Sequence, residues 1–385
     1  MSLPQTLDMV RQLVAEPSVS SPDASRDQSN RRVVERLAEW AESAGFRAEV
    51  VPLRKDPAKA NLVATLGEGE GGLILSGHTD TVPTDAEGWE SDPWELTERG
   101  DGVFYGLGSA DMKGFFAAAL TAAAQFRAGQ LKAPLTLIGT ADEESTMNGA
   151  RQLLADGAPR ARMAIIGEPT GLVPVRMHKG ILMHRVSVEG RAGHSSDPAL
   201  GLNAIDGMAE VIAELRAFRE DLEQELRIDD FQVPHATLNL GRIEGGDSPN
   251  RICGSCAMTY DMRLLPGMAP AAIRAQLEAR LRARLDSRYR LVLEELIEPV
   301  PPFAIEREAS AVRLLEELSG HEPRAVMFCT EAAFFQELGA QTVVCGPGSI
   351  TVAHQPNEHV PHDQLAAGAD VYAKAIHAVC VEGRT

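Results

Sequence analysis

Short, nearly all-apolar runs alternate with helical patterns along this chain, and that alternation restricts its fold more than any other feature. "AEVVPL", "NLVATLG", "LILSGH", "LTLIGTA", "MAIIGE" and, much later, "QTVVCGPGS" have the length of strands and no polar face. Such strands need cover on both sides. The stretches around them can supply it: "LPQTLDMVRQLVAE", "NRRVVERLAEWAESAGF", the Ala-rich "KGFFAAALTAAAQFRAG", "NGARQLLADG", "SAVRLLEELSG" and "QLAAGADVYAKAIHAVC" carry apolar residues at helical spacing. The pattern predicts an α/β domain, a mostly parallel sheet sandwiched by helices.

From about Gly180 the order changes. "ILMHRVSVEG", "GLNAIDGMAEVIAELRAFREDLEQE", "ATLNLGRIEGG", "SCAMTYDMRLL", "APAAIRAQLEARLRARL" and "YRLVLEELI" read strand, helix, strand, strand, helix, strand. That is the βαββαβ order of a ferredoxin-like domain, inserted here into the first. The boundaries expected are 1–178 and 296–385 for the α/β domain and 179–295 for the insertion, with "EPVPPF" as the return linker. No internal repeat or low-complexity segment interrupts the pattern.

A chain of 385 residues exceeds the size at which one hydrophobic core usually keeps growing, in agreement with two domains. Its formal charge of −18 argues against a nucleic-acid or anionic-membrane surface, since such binding rests on clustered Lys and Arg. No apolar run approaches a membrane-spanning length, and the opening "MSLPQTLDMVRQLVAEPSVS" has no basic segment followed by an apolar one. A cytoplasmic location is expected. The five cysteines do not form a disulfide pattern. Cys253 and Cys256 make a CxxC, but without a second one, and an offset of three on a strand predicts opposite faces.

In open α/β sheets functional groups collect beyond the carboxyl ends of the strands. "LILSG" is followed by His78 and Asp80, "LTLIGTA" by Asp142, Glu143 and Glu144, "MAIIG" by Glu168, and "TVVCGPGSITVA" by His354. The glycine-rich "YGLGSADMKG" sets Asp111 directly before a helix. Each residue alone has an ordinary explanation, such as a helix cap for Asp111. Together at one rim they would repel one another unless a cation neutralised them. Mixed His and carboxylate donors suit Zn²⁺, or Mn²⁺ and Co²⁺. The count fits two divalent ions, one carboxylate bridging and one His with one further carboxylate for each. One of Glu143 and Glu144 is then left over, free to face the reacting water.

The motifs "SGHTDTVP", "GLGSADMKG", "TADEES", "IGEPT", "AGHSSDP" and "AHQPNE" resemble, in this order, those of the M20 metallopeptidases, a family of di-zinc amidohydrolases. "NRICGSCAMTYDMRLLPG" and "FCTEAAFFQ" are similar to its acetylornithine deacetylase branch. The resemblance covers essentially the whole chain. It implies that His78 and Glu168 hold one metal, Glu144 and His354 the other, and that Asp111 bridges them. It implies that Asp80 orients His78, that Glu143 is the general base, and that His194 of the inserted dimerisation (lid) domain supports the oxyanion in a partner subunit of a homodimer. Asn250, Arg263 and the backbone near Gly348 would grip the substrate carboxylate, with Arg251 and Thr330 as alternatives. The activity implied is hydrolysis of an N-acyl amino acid, N²-acetylornithine foremost, in arginine biosynthesis. Acetylcitrulline and N-succinyl-diaminopimelate are rival substrates. A non-catalytic metal- or peptide-binding homologue is the rival from another class, and the complete set of donors speaks against it.

Overall fold

The computed structural model describes residues 3–84, 87–100, 102–157 and 159–384. The chain divides into two compact units. The first comprises Met1–Arg176, Ile305–Arg324 and Thr330–Thr385, the second Met177–Ala304 and Ala325–Cys329.

In the first unit the strand order is Arg47–Pro52, Ala60–Leu66, Leu135–Thr140, Leu73–His78, Met163–Pro169, Gln341–Gly346 and then the strand that begins at Val175. The middle four run parallel. The flanking strands are antiparallel, so the sheet is mixed where the sequence predicts a mostly parallel one. Loop length is the reason at the first edge, because residues 53–59 are too few for a crossover and force a hairpin. Leu73–His78, Leu135–Thr140 and Met163–Pro169 are buried at every position, as strands without a polar face require. Helix Arg31–Ser43 covers the hairpin, Lys113–Ala123 packs on Leu73–His78, and Ser310–Ser319 and Ala332–Glu337 pack on Gln341–Gly346. Among the described residues no helix is long and apolar enough to cross a membrane.

The second unit holds a four-stranded antiparallel sheet ordered Thr237–Gly245, Ser255–Leu264, Gly180–Glu189, Arg290–Glu295, with helices Ala204–Glu225 and Pro270–Arg284. This is the predicted βαββαβ arrangement. Alternate residues of the central strands, Leu182, Val186, Met258 and Met262, meet Val211, Leu215, Phe218 and Leu277 of the helices in one core. The Asn203 side chain starts the longer helix by accepting the Ile205 N–H at 3.0 Å.

Two further details differ from the sequence reading. Val300, inside "EPVPPF", exchanges main-chain hydrogen bonds with Ile181, and Phe303–Ala304 pairs with Met177–His178, so this stretch belongs to the second unit instead of linking back to the first. The chain also turns between Arg251–Ile252 and the strand from Ser255, which brings both Cys253 and Cys256 into the same core as free thiols.

Candidate metal centre

Three adjacent parallel strands end together. His78 is the last residue of its strand and lies in register with Thr140, while Glu168 closes the neighbouring strand just before Pro169. The glycine before each of these two residues has a packing reason. A methyl group on Gly77 would come 2.9 Å from the Phe115 ring, and one on Gly167 would overlap it. Helix Lys113–Ala123 can therefore press Phe115 onto the sheet and bring the loop that carries Asp111 down over the strand ends.

The donors fall into two sets within which every ligating atom lies within 4.8 Å of the others: His78, Asp111 and Glu168, and Asp111, Glu144 and His354. Asp111 belongs to both. Its Oδ1 is 3.0 Å from His78 Nε2 and its Oδ2 is 3.2 Å from His354 Nε2, so each oxygen serves one set. Glu168 Oε1 stands 3.9 Å from His78 Nε2, and Glu144 Oε1 3.0 Å from His354 Nε2. Asp111 is not a helix cap, for the cap residue is Met112.

The resemblance places the Asp80 carboxylate behind His78, but the structure gives that place to its main chain. His78 Nδ1 bonds the Asp80 carbonyl oxygen at 3.0 Å, with the carboxylate 3.9 Å away. This fixes the ring and leaves Nε2 for a ligand. The Asp80 carboxylate instead accepts the N–H groups of Glu143 (3.3 Å) and Glu144 (3.1 Å) and so holds the turn on which both glutamates sit. Lys59 supports the same turn. Its buried Nζ donates to Asp142 at 2.5 Å and Asp27 at 2.7 Å, and the Asp142 carbonyl collects the N–H groups of Thr146 and Met147. Glu331, fully buried, accepts the Thr140 hydroxyl at 2.8 Å.

The electrostatics call for a cation. Loss of water pushes the carboxyls of Glu143 and Glu168 well above the usual range, Asp80 up to about 6 and Glu331 up to about 7, and their mutual repulsion adds to it. Burial opposes charge on His78, yet Asp111 and Glu168 hold its pKa well above normal. Hydrogen bonds to Asp111 and Glu144 raise His354 to about 11. Asp111, against its burial, is held well below the carboxylate range by the two histidines. Each His–Asp111 pair thus strongly favours a positive charge between nitrogen and oxygen. A divalent ion can replace that proton, and the two-imidazole, three-carboxylate donor set fits two such ions.

The other predicted residues divide between the units. His194 is exposed in the second unit, in a short strand pair opposite Arg251, and its Nδ1 accepts the Ser196 N–H at 3.2 Å. Asn250 is brought beside it, its carbonyl accepting the Ser195 N–H at 3.1 Å. Arg251 pairs with Asp247 and Arg263 with Asp261, at 2.6 and 2.9 Å. Thr330 and Gly348 are in the first unit. Thr330 is buried, its hydroxyl accepting the Ala332 N–H at 3.1 Å, and Gly348 has a φ of +87° and lies against Ala110 of the Asp111 loop. The sequence reading missed Lys59, Glu331 and Glu358. The two glutamates lie inside motifs already singled out, "FCTEAAFFQ" and "AHQPNE", whereas nothing local marks Lys59.

A mixed sheet that gathers two histidine–carboxylate sets around one shared aspartate defines a metal-dependent hydrolase of the α/β class. The sequence matches Peptidase family M20/M25/M40 over residues 74–378. The chain belongs to this family. It is 44% identical over 379 residues to an acetylornithine deacetylase of Pasteurella multocida, covering 98% of this chain and 99% of that one. A second acetylornithine deacetylase, from Vibrio vulnificus, is 44% identical over 382 residues, 99% of this chain and 100% of its own. Among solved structures, an M20 family metallo-carboxypeptidase from Sulfolobus solfataricus superposes with a TM-score of 0.76 at 18% identity, over 97% of this chain and 99% of that one. A tripeptidase from Staphylococcus aureus gives 0.74 at 19%, over 97% and 98%. At these identities the two structures establish the fold.

Proposed function

We propose that this protein hydrolyses the amide of an N-acyl amino acid, N²-acetyl-L-ornithine foremost, to acetate and L-ornithine, as a step of arginine biosynthesis. The observation that carries the substrate is the 44% identity, over 98–99% of this chain, to proteins named acetylornithine deacetylase. His78 and Glu168 would hold one divalent ion, Glu144 and His354 the other, Zn²⁺ by preference with Co²⁺ or Mn²⁺ as substitutes, and Asp111 would serve both. Ions held there would polarise the amide carbonyl and lower the pKa of water.

The chain's own groups carry the proton. Glu143 takes it from the attacking water as the oxygen–carbon bond forms, and returns it to the nitrogen as the carbon–nitrogen bond breaks. Asp80 keeps Glu143 in place through its main-chain N–H. His194 would act as an oxyanion donor through Nε2, since Ser196 engages Nδ1 with its N–H at 3.2 Å and its hydroxyl at 2.7 Å. It would serve the site of a partner subunit in a homodimer. Asn250, Arg263, Thr330 and the backbone at Gly348 would bind the substrate carboxylate, once Arg263 exchanges Asp261 for it. No membrane or nucleic-acid partner is part of this reading, and the location is cytoplasmic.

Metal content measured together with initial rates on acetylornithine, acetylcitrulline, acetylmethionine and succinyl-diaminopimelate tests it. Acetylornithine should give the highest kcat/KM. A higher value for another of the four replaces the substrate, and no turnover of any with both ions bound refutes the hydrolase.

A further inference from the structure

Glu358 closes the motif "AHQPNE" and has no part in the reading so far, yet its carboxylate is 1% exposed and fully engaged. Its Oε1 accepts the main-chain N–H groups of Ala110 and Asp111, both at 2.9 Å, and its Oε2 accepts that of Gly108 at 3.1 Å. Its own carbonyl accepts the N–H of Gly106 at 3.0 Å. The loop from Gly106 to Asp111 is thus wound around one side chain that is 247 residues away in sequence from Asp111. Both oxygens act as acceptors, which a carboxylate can do and a carboxamide cannot, since its NH₂ group would meet an N–H.

The partners matter as much as the number. Asp111 is the one residue common to both donor sets, and its two oxygens stand within 0.2 Å of the same distance from the two imidazoles, at 3.0 and 3.2 Å. Holding that balance requires a fixed backbone beneath the side chain. Glu358 supplies the bond to the Asp111 N–H itself. It also lies four residues after His354, in the segment that continues into strand His359–Pro361, and that strand pairs with Val103–Tyr105 at the start of the same loop. One carboxylate therefore ties the loop of the shared ligand to the segment of a terminal ligand.

We propose that Glu358 is a positioning residue, which fixes Asp111 between the two donor sets by accepting three main-chain N–H groups and couples its loop to the segment of His354. The inference rests on the two-ion reading above. Loss of such a partner behind a ligand typically weakens metal binding about 10- to 100-fold. The experiment compares wild type with Glu358→Gln, each stripped of metal and titrated with Co²⁺, following visible absorption and bound ion per chain at equilibrium. The Tm of the metal-free proteins is measured alongside. Glu358→Gln is expected to keep the metal-free Tm within a few degrees and to bind at least one of the two equivalents 10- to 100-fold more weakly, with an altered Co²⁺ spectrum. If Glu358→Gln does not fold, Glu358→Asp keeps the carboxyl group but withdraws it from the three donors, and the same weakening is expected. Two equivalents bound with wild-type affinity and spectrum by either folded variant would overturn the proposal. Fewer than two equivalents on the wild type would overturn the two-ion reading itself, an outcome seen before any variant is compared.

Discussion

Replacing Lys59 by Met removes a buried cation that no sequence motif marks. The Lys59 side chain is 6% exposed and that of Asp142 7%, so their 2.5 Å contact is an interior ion pair. The second partner, Asp27, is 25% exposed and adds little. Met fills similar volume but leaves the Asp142 carboxylate, among the described residues, with the Ser20 hydroxyl at 3.0 Å as its remaining side-chain donor. Stranding one partner of a buried pair costs about 3–5 kcal/mol. For a unit of this size that is a fall in Tm of about 6 to 20 °C. Because Asp142 anchors the turn carrying Glu143 and Glu144, kcat should fall as well. The double variant Lys59→Met with Asp142→Asn removes the charge and keeps the Ser20 contact, so it should recover more than half of the lost stability. The pH dependence follows from the sign of the shift. Burial lowers the Lys59 pKa, but the bonds to Asp142 and Asp27 outweigh it and hold the value above the ordinary 10.5. The stabilisation is complete below 10.5 and fades only as pH rises through the folded value, so the penalty should be flat from about pH 6 to 9. Calorimetric or fluorescence melting of wild type, Lys59→Met, Asp142→Asn and the double variant measures the stabilities, and initial rates measure kcat. A single variant melting within 2 °C of wild type, or a double variant whose loss is the sum of both single losses, would refute the reasoning.

The remaining predictions concern the centre itself. Chelation should abolish turnover and two equivalents of Zn²⁺ or Co²⁺ should restore it; full activity in a preparation shown to be metal-free contradicts the two-ion site. Glu143→Gln should keep both ions and lose about 10²- to 10⁴-fold in kcat, while Glu144→Gln should lose ion from one set; elemental analysis and rates giving the reverse pattern exchange the two roles. Gly167→Ala, whose methyl would overlap Phe115, should destabilise the protein by about 1–3 kcal/mol and weaken metal binding together; an unchanged Tm would separate that packing contact from the centre. Subunits of His194→Ala and Glu143→Ala, both inactive alone, should regain about a quarter of wild-type activity after mixing by refolding, since half the dimers are mixed and one of their two sites is complete. Purified mixed dimers without activity would place His194 outside the partner's site.

Hydrophobic pattern and strand-end chemistry made much of this protein legible without coordinates. An all-apolar strand states its own environment, since it can be stable only when covered on both faces, and the residue that follows it must then lie at the rim. His78, Glu168 and the glutamates after Thr140 could be read in this way because backbone direction alone carries them to the rim. The βαββαβ order was equally local. What the chain could not declare is which partner a charged group finds across a fold. Lys59 looks like any surface lysine until the sheet closes it between Asp27 and Asp142. Asp80 holds the Glu143–Glu144 turn with its carboxylate and His78 with its main chain, a division of labour set by the packing of two neighbouring strands. Cys253 and Cys256 share one core because a turn intervenes where alternation had been expected. Apolar burial is written in local periodicity, whereas a hydrogen bond between residues 111 and 358 depends on a direction in space that only the assembled tertiary structure provides.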